Sequence, residues 1–520
     1  MNNNKVLFWA SFFTLIAAGV GFAIRTKVLN DWSDQFGFSK YELGTITGGG
    51  LVGFGVTIIA CSIFIDSVGY KPLMIIAFIL HLASAAVTLA ATPVFNAMGK
   101  EATYWCLYTG LFMFALANGM CEAVINPLVA TIFPKQKTHY LNILHAGWPG
   151  GLILGGLLAY LFMGDNPVVT PLRWELPMAF FLVPTLLYGF MIFKEKFPVS
   201  EARAAGVGFG TMLLEFASPL LLFLLLLHAM VGYVELGTDS WITNIMDNVI
   251  KGKAILLFVY TSAIMFVLRF FAGPIVEKIN PIGLLLVSAI FGCVGLYSLG
   301  AVETGLAIVV AATVYGIGKT FFWPTMLGVV GERFPKGGAL TMGTIGGIGM
   351  LSAGLLGGPG IGYKQDYYAS KNLEENAKAT HTRYVAEEKK GFLMLPQIAG
   401  LDGAKVGVLK DDGKDLAKRI ENLKAKGKEL SDDKELAQLS QWWDSAKEHA
   451  KTDKEPVENA NIYGGRMALK WTALVPFMMG VGYLILVFYF RSKGGYQVEV
   501  LHGEPPVGEH YTGGVEGPIE

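Results

Sequence analysis

The sequence predicts an all-α membrane protein in which twelve transmembrane helices form two repeats of six. Of the 520 residues, 53% are hydrophobic and 16% are charged, and the mean hydropathy is +0.47. The apolar residues come in blocks of about 20, the length of a helix that crosses a bilayer. Continuous runs such as Pro219–His228 lack the alternation that a closed β-barrel requires. Turns of similar sequence at matching places in the two halves indicate the internal repeat.

The twelve predicted spans alternate with short polar turns, and two longer polar segments interrupt them. The spans cover roughly residues 6–29, 41–65, 73–91, 103–132, 138–163, 176–194, 217–245, 253–276, 282–301, 305–330, 338–360 and 466–491. We therefore predict an N-terminal six-helix half (1–194), a linker (195–216), spans seven to eleven (217–360), a charged insertion (361–465), span twelve (466–491) and a tail (492–520).

The loop charges predict the orientation. Placing both termini in the cytoplasm puts more cations on the inner loops than on the outer ones, as the positive-inside rule requires. The inner loops then hold Lys71, Lys135, Lys137, Lys194, Lys196, Arg203, Lys278, Arg333 and Lys336. We expect a multi-pass protein of the plasma (cytoplasmic) membrane with cytoplasmic termini, a cytoplasmic linker and tail, and an extracytoplasmic insertion.

The insertion and the tail, the two long polar segments of the second half, differ in character. Within the insertion, Asp411–Leu430 and Asp433–Lys451 have the pattern of amphipathic helices. Trp442 and Trp443 are interpreted as packing residues of a small helical cap, with stacking on a sugar or contact with the membrane as alternatives. The tail after Lys493 has the composition of a disordered segment.

Two turns recur at equivalent places in the halves. Phe133-Pro-Lys135 ends span four and Phe334-Pro-Lys336 ends span ten, and each precedes a glycine-rich span. Asp66–Lys71 after span two has a weaker counterpart in Gly273–Lys278 after span eight. Duplicated halves around a linker are typical of secondary transporters, whose site lies between the halves near the midplane.

The turn Asp66-x-x-Gly69-x-Lys71 and the six-plus-six layout resemble the major facilitator superfamily, although Ser62 and Ser67 depart from its signature. Three patches are similar to one branch, the fucose permease and glucose/galactose symporter group. They are Glu122-x-x-x-Asn126-Pro127, Leu141-Asn142 and Tyr233–Trp241. The resemblance implies the major facilitator fold, alternating access and sugar–proton symport.

Candidate ligands of the solute are polar or aromatic residues inside apolar spans, where polar groups are costly unless they serve a site. Glu122 is also the candidate for proton coupling, with an ion pair to Lys319 as its structural alternative. Asn126 and Asn142 offer amides to hydroxyl groups, while an interhelical hydrogen bond is their alternative. The full set is Glu122, Asn126, Asn142, His145, Trp148, Tyr233, Glu235, Trp241 and Lys319.

Two departures from the group bear on substrate and coupling. His145 and Trp148 stand where the resemblance implies amides, so these substitutions indicate a changed substrate. An imidazole can still bond hydroxyl groups, and an indole can stack on a sugar face. The group's span-one acid falls at about Thr26, beside Arg25. Proton coupling through Glu122 alone and uncoupled transport are therefore alternatives.

Charged residues near the predicted inner mouth suit a gate that opens and closes as the halves rock. They are Asp66, Lys71, Arg269 and Glu277. Lys319 lies in Gly316-Ile-Gly-Lys-Thr320, but Thr313 replaces the first glycine of a phosphate loop and a membrane span surrounds it. Nucleotide binding is therefore rejected.

The sequence favours a monomeric transporter of a small polar solute, most simply a sugar, over three alternatives. One is an organic-anion or metabolite transporter using Arg25, Lys319 and His145. Another is a transport-inactive receptor that binds through the insertion. A membrane enzyme is disfavoured because no nucleophile–base or metal constellation occurs. We expect no cofactor, no metal and no nucleic-acid partner.

Overall fold

The computed structural model describes residues 3–38, 40–163, 167–247, 249–250, 253–303, 305–425, 427 and 429–501. Within these residues the chain is almost entirely helical, and β-structure is limited to two isolated bridges, Val385 to Leu401 and Lys390 to Ile398. Eleven helical stretches are long and apolar enough to cross a membrane, and the apolar helix Ala254–Arg269 is shorter. Together they account for the predicted spans, so the all-α membrane fold is confirmed.

The first half contains six spans. Its helices are α1 (Asn3–Phe36), α2 (Lys40–Val68), α3 (Tyr70–Leu89), α4 (Ala91–Ile132), α5 (Lys137–Phe162), α6 (Glu175–Ala179) and α7 (Leu182–Phe193). The helical conformation of α4 is interrupted by a kink at Gly99, where φ is 81°. Short helices α6 and α7 together form span six.

The linker contains α8 (Glu201–Ala204) and α9 (Phe209–Leu214), and the second half follows. Its spans are built from α10 (Pro219–Gly232), α11 (Thr238–Asp247), α12 (Ala254–Arg269), α13 (Ala272–Leu299), α14 (Gly305–Lys319), α15 (Phe322–Arg333), α16 (Gly338–Ser352) and α17 (Gly358–Asn376). Two π-helical segments join α10 to α11 and α16 to α17, at Tyr233–Gly237 and Ala353–Gly357.

The insertion continues spans eleven and twelve as a helical hairpin. Helix α17 packs against α22 (Ala450–Thr472), which leads directly into α23 (Leu474–Ser492). Between them lie α18 (Lys378–Tyr384), α19 (Gly403–Lys410), α20 (Lys414–Ala425) and α21 (Lys434–Ala446). Helices α20 and α21 fall within the two segments that were predicted to be helical.

A small core of its own stabilises the insertion. Leu373, Tyr384 and Val457 are buried there, and Trp442 packs beside them. The Trp442 indole donates a hydrogen bond to the Arg383 carbonyl at 3.1 Å. Arg383 pairs with the buried carboxylate of Asp453, whose hydrogen bonds raise the pKa of the guanidinium. The tryptophan therefore packs inside the cap, as the sequence interpretation favoured.

The two halves pack most extensively through two pairs of helices, α2 with α16 and α5 with α12. Glycines allow these backbones to approach closely. A Cβ atom at Gly55 of α2 would lie 2.8 Å from the Gly347 carbonyl oxygen of α16. One at Gly156 of α5 would lie 2.7 Å from the Val259 side chain of α12.

One end of the bundle, which we call the linker end, brings together the linker, the start of α1 and the described part of the tail. There the Asn3 side chain donates to the Lys196 carbonyl at 2.8 Å, and Tyr496 of the tail donates to Glu332 at 2.7 Å. The opposite end carries the insertion and is called the insertion end. The tail from residue 502 onward lies outside the described residues, but Tyr496–Glu499 is ordered against α15, contrary to the disorder predicted after Lys493.

The halves are tied together at the linker end. The Thr138 amide and hydroxyl of α5 donate to Glu332 of α15 at 3.0 and 2.6 Å. Lys137 donates to the Gly331 carbonyl at 3.0 Å. These contacts join the first half to the second, so the linker end is closed in this conformation.

Candidate functional site

A line of hydrogen-bonded polar groups, which we call the central polar chain, crosses the buried middle of the bundle. It starts at Glu122 on α4, whose side chain is 4% exposed. Asn126 donates from Nδ2 to Glu122 Oε2 at 2.6 Å, one helical turn away. His145 on α5 lies 2.9 Å from Asn126 Oδ1 through Nε2. Because an amide oxygen can only accept, Nε2 carries the proton in this arrangement.

Arg269 carries the central polar chain into the second half. Its guanidinium donates to the His145 carbonyl oxygen at 2.6 Å, to Glu235 Oε1 at 3.0 Å and to the Thr320 carbonyl oxygen at 2.7 Å. Only 1% of the residue is exposed. One side chain thus connects α5 of the first half with two elements of the second.

The position of Arg269 corrects an expectation from the sequence. It was expected near the inner mouth among the gating charges, but it lies in the buried core of the bundle. The predicted span over 253–276 is interrupted, because α12 ends at Arg269 and α13 begins at Ala272. The last turn of α12 points the guanidinium at three acceptors that compensate for the loss of water.

Besides the Arg269–Glu235 pair, a second buried ion pair lies next to the central polar chain. Lys319 Nζ donates to Asp239 Oδ1 at 2.6 Å, and both side chains are almost fully buried. The Lys319 ammonium also lies 5.3 Å from the centre of the Tyr315 ring, a favourable cation–π distance. Lys319 therefore has a partner within its own half, and its suggested ion pair with Glu122 is wrong.

The remaining candidates lie at different heights in the bundle. Asn142 donates to the Thr138 carbonyl at 2.8 Å and to Thr325 Oγ1 at 3.2 Å, on the linker-end side. Trp148 is 9% exposed and its ring lies 5.4 Å from that of Phe22. Asn142 and Trp148 therefore flank His145 along α5, one on each side of the central polar chain.

Tyr233 and Trp241 face span eleven rather than the central polar chain. The Tyr233 hydroxyl accepts from Lys364 Nζ at 3.0 Å. The Trp241 indole donates to the Gly358 carbonyl at 2.8 Å. Of the span-seven candidates, Glu235 alone bonds to a member of the chain, so the structure separates it from its two aromatic neighbours.

Glu235 lies in a π-helical segment. Tyr233–Gly237 packs against the second π-helical segment, Ala353–Gly357. A Cβ atom at Gly237 would lie 2.8 Å from the Gly357 Cα atom, and one at Gly357 would lie 3.0 Å from the Gly237 Cα atom. Single-turn π-bulges are rare and frequently occur at functional sites.

Several buried polar atoms around the chain have no hydrogen-bond partner among the described residues. They include the acceptors Glu235 Oε2, Asp239 Oδ2 and Asn142 Oδ1, the donor Trp148 Nε1, and both ring nitrogens of His228. Buried polar atoms are nearly always bonded to protein or water. Each of these atoms therefore lacks the hydrogen bond that a buried polar atom ordinarily makes.

The expected gating residues other than Arg269 lie at the linker end. Asp66 accepts from Ser200 Oγ at 2.5 Å, and its carbonyl accepts from Arg203 at 2.7 Å. Lys71 donates to the carbonyls of Phe193 and Glu195 at 2.8 and 2.9 Å. Glu277 is exposed near the start of α13. Asp66 and Lys71 thus hold the linker rather than the opposite half.

The described residues hold no group of three or more His, Cys, Asp or Glu side chains close enough to bind a metal ion. The candidate site consists of buried hydrogen bonds and ion pairs.

Comparison with known proteins decides the family. The model of the Major Facilitator Superfamily matches residues 4–358. The chain belongs to this superfamily. It is a multi-pass membrane transporter and not an enzyme. No curated protein sequence matches it.

Solved structures of superfamily transporters share the fold. The Escherichia coli fucose:proton symporter FucP is 17% identical, with a TM-score of 0.54 over 70% of this chain and 92% of FucP. The proton:xylose symporter XylE is 12% identical, with a TM-score of 0.59 over 72% of this chain and 90% of XylE.

A third structure covers more of the chain. A bacterial homologue of the human lysosomal transporter Spinster, in an inward-facing unoccupied conformation, is 14% identical. Its TM-score is 0.60 over 93% of this chain and 97% of the homologue. At these identities the likeness concerns the fold alone.

Sequence reasoning found the first-half part of the superfamily transporter's polar chain but missed two features of the second. The role of Arg269 and the Lys319–Asp239 pair both depend on contacts between distant helices. A signal was present, because each is a charged or titratable residue inside an apolar run.

Proposed function

We propose that this transporter moves a small polyhydroxylated solute, most simply a sugar, by alternating access. The single observation that supports it most is the central polar chain, which joins the halves through Arg269 and the His145 carbonyl. A solute bound beside this link competes for its groups and changes the contacts between the halves. Differential binding to two conformations is the requirement for coupling binding to movement.

The unpartnered atoms favour a ligand rich in hydroxyl groups. Glu235 Oε2, Asp239 Oδ2 and Asn142 Oδ1 are acceptors, and hydroxyl groups supply the donors they lack. Trp148 adds an apolar ring face and a free indole N–H, which suit the two sides of a sugar. Two of the solved structures similar in fold are symporters of fucose and of xylose.

Proton coupling is part of this proposal. Glu122 bonds to Asn126, which bonds to His145, so a change in its protonation alters a line of contacts that reaches Arg269. The side chain of Thr26, where the group's second acid is expected, lies outside the described part of the structure. Glu122 is therefore the proposed proton carrier.

Gating is proposed to occur at the linker end. The Thr138–Glu332 and Lys137–Gly331 bonds break when the halves rock apart there, while Asp66, Lys71 and Glu277 adjust the linker and adjoining helices. We further propose that the linker end faces the cytoplasm of the plasma membrane, in keeping with its cations, and that the transporter acts as a monomer.

The test is uptake by proteoliposomes across a panel of monosaccharides. We expect at least one sugar to accumulate when a proton gradient is imposed. Glu122→Gln should abolish gradient-driven accumulation while exchange of labelled for unlabelled sugar persists. Glu101→Gln, a change at an exposed carboxylate, is the matched control and should behave as the wild type.

The sugar assignment fails if no monosaccharide is taken up and none raises thermal stability in detergent. A ligand that binds the folded protein must stabilise it. If a sugar exchanges but Glu122→Gln still accumulates it, the substrate class stands and the proton role of Glu122 does not.

An organic anion is the second candidate because of Arg25. Its guanidinium lies 4.4 Å from the centre of the Phe114 ring, and its Nε has no hydrogen-bond partner. The cations Lys319 and Arg269 are, in contrast, paired with Asp239 and Glu235. Uptake of a carboxylate that is lost in Arg25→Gln but kept in Glu122→Gln would favour this candidate.

A further inference from the structure

A hairpin of the insertion runs back toward the membrane. It spans Val385–Leu401, between α18 and α19, and two bridges close its stem. Three contacts attach it to α17 at successive heights. Ser370 Oγ donates to the Ala399 carbonyl at 2.7 Å, and the Tyr363 hydroxyl donates to the Pro396 carbonyl at 2.8 Å. Phe392 lies against Gly360 at the lowest level.

These contacts give the depth of the hairpin. Ser370 and Gly360 are ten residues apart on one helix, which corresponds to roughly 15 Å at 1.5 Å per residue. Gly360 is also the last residue of the apolar span predicted over 338–360. The stem therefore stands clear of the bilayer, while the tip reaches the level at which span eleven leaves it.

The tip is apolar and uncovered by protein. Leu393, Met394 and Leu395 are 76%, 101% and 48% exposed. Leu393 also has a φ of 51°, a conformation that is unusual for a bulky residue. Three consecutive exposed apolar side chains mark an interaction surface rather than a surface that water covers.

The surroundings of the tip identify the partner. Tyr363, Tyr367, Tyr368 and Tyr463 form a chain of neighbouring rings beside the hairpin, and such aromatic residues concentrate at membrane–water interfaces. The stem carries exposed charged residues at 387–390. The charged residues lie on the stem, away from the membrane, the tyrosines lie beside the hairpin, and the leucines and methionine lie at the tip. This order follows the change in polarity across a bilayer interface.

We propose that the tip of the Val385–Leu401 hairpin, Leu393–Leu395, inserts into the membrane leaflet at the insertion end. The insertion is then held at three places, by α17, by α22 and by the lipid. Its hairpin lies on the bilayer in the manner of an interfacial anchor.

The experiment places a spin label at Met394→Cys in the full-length protein, reconstituted in liposomes of phosphatidylcholine and phosphatidylglycerol. Oxygen concentrates in lipid and a nickel chelate in water, so their effects on saturation report depth. We expect the label at 394 to respond more to oxygen than to the chelate. Labels at Lys390→Cys on the stem and Gln441→Cys on α21 are the water-exposed controls.

The four native cysteines can also take the label. Their contribution is measured on the wild-type chain, labelled in the same way, and subtracted from the signal of each variant. A label at 394 that responds as those at 390 and 441 do overturns the proposal. So does an immobilised label that neither reagent reaches, since this means that the tip packs on protein and covers the transport path. The positions are exposed, so the substitutions leave the fold intact, and thermal unfolding of each variant checks this.

Discussion

Lys319 and Asp239 form an ion pair that neither water nor lipid headgroups reach. Removing one partner of such a pair leaves an uncompensated charge, which costs about 3–5 kcal/mol. We expect Lys319→Ala to lower the free energy of unfolding by about this amount, measured by thermal unfolding in detergent. Removing both charges in Lys319→Ala/Asp239→Ala should restore much of the loss.

An exposed ion pair supplies the control for this cycle. Lys454 and Asp412 lie 3.4 Å apart in the insertion with both side chains largely in solvent. Lys454→Ala should cost no more than about 1 kcal/mol. A double variant as unstable as the sum of its single changes would show that the two buried charges do not compensate each other.

Individual residues were predictable where a polar group interrupts an apolar run. Glu122, Asn126 and His145 were selected on that ground, and the structure brings these three together. Arg269 was misplaced because a continuous apolar sequence over 253–276 does not reveal the break at Phe270. Which charge pairs with which depends on how helices from distant parts of the chain pack, and no local pattern contains this information.

At the scale of elements, the two π-helical segments depend on each other. Their backbones meet at Gly237 and Gly357, where a side chain has no room. We expect Gly237→Val to cost about 1–3 kcal/mol through overpacking, and to reduce uptake because Glu235 lies in the displaced segment. Thermal unfolding and transport measured on the same preparation would separate the two effects.

A glycine in open space is the matched control. A Cβ atom at Gly44 of α2 meets nothing within 4 Å, so Gly44→Ala should be neutral or stabilise by up to about 1 kcal/mol. Wild-type stability and uptake in Gly237→Val would mean that the two segments move apart at little cost.

The positions of the helices were predictable to a few residues, whereas their irregularities were not. Hydrophobic blocks predicted each span, but a π-bulge adds one residue to a turn and leaves the apolar composition unchanged. The glycines at 237 and 357 suit close packing in a regular helix equally well. The break in α4 at Gly99 shows the same limit, since the glycine alone does not state its φ.

At the scale of the whole molecule, Glu332 connects three parts of the chain. It accepts from Thr138 of the first half and from Tyr496 of the tail, and it belongs to the second half. We expect Glu332→Gln to loosen the linker end, because neutralising the carboxylate weakens both hydrogen bonds. Spin labels at Lys135→Cys and Lys336→Cys, measured by pulsed dipolar spectroscopy, should then show an added population at longer distance.

Glu499→Gln is the control for this measurement. The Glu499 side chain is largely exposed and pairs with Arg333, and its neutralisation leaves the side-chain bonds of Glu332 in place. An unchanged distance distribution in Glu332→Gln would mean that helix packing alone keeps the linker end closed.

The duplicated architecture was predictable because the turns at Phe133 and Phe334 repeat at equivalent places. The form of the insertion was only partly predictable from the sequence. Its charges predicted a segment outside the membrane, but the continuation of spans eleven and twelve into α17 and α22 is a property of helix pairing. The contact of the tail with Glu332 was missed because Tyr496 and Glu499 stand in a segment with the composition of a flexible chain.

The link between Arg269 and position 145 passes through the main chain. Every amino acid supplies a carbonyl oxygen there, so mutation of the histidine leaves the acceptor in place. Substitution of His145 therefore removes the side-chain bond to Asn126 but keeps the bond to Arg269. The contact between the two halves and the line of bonds to Glu122 can thus be altered separately by mutation at one position.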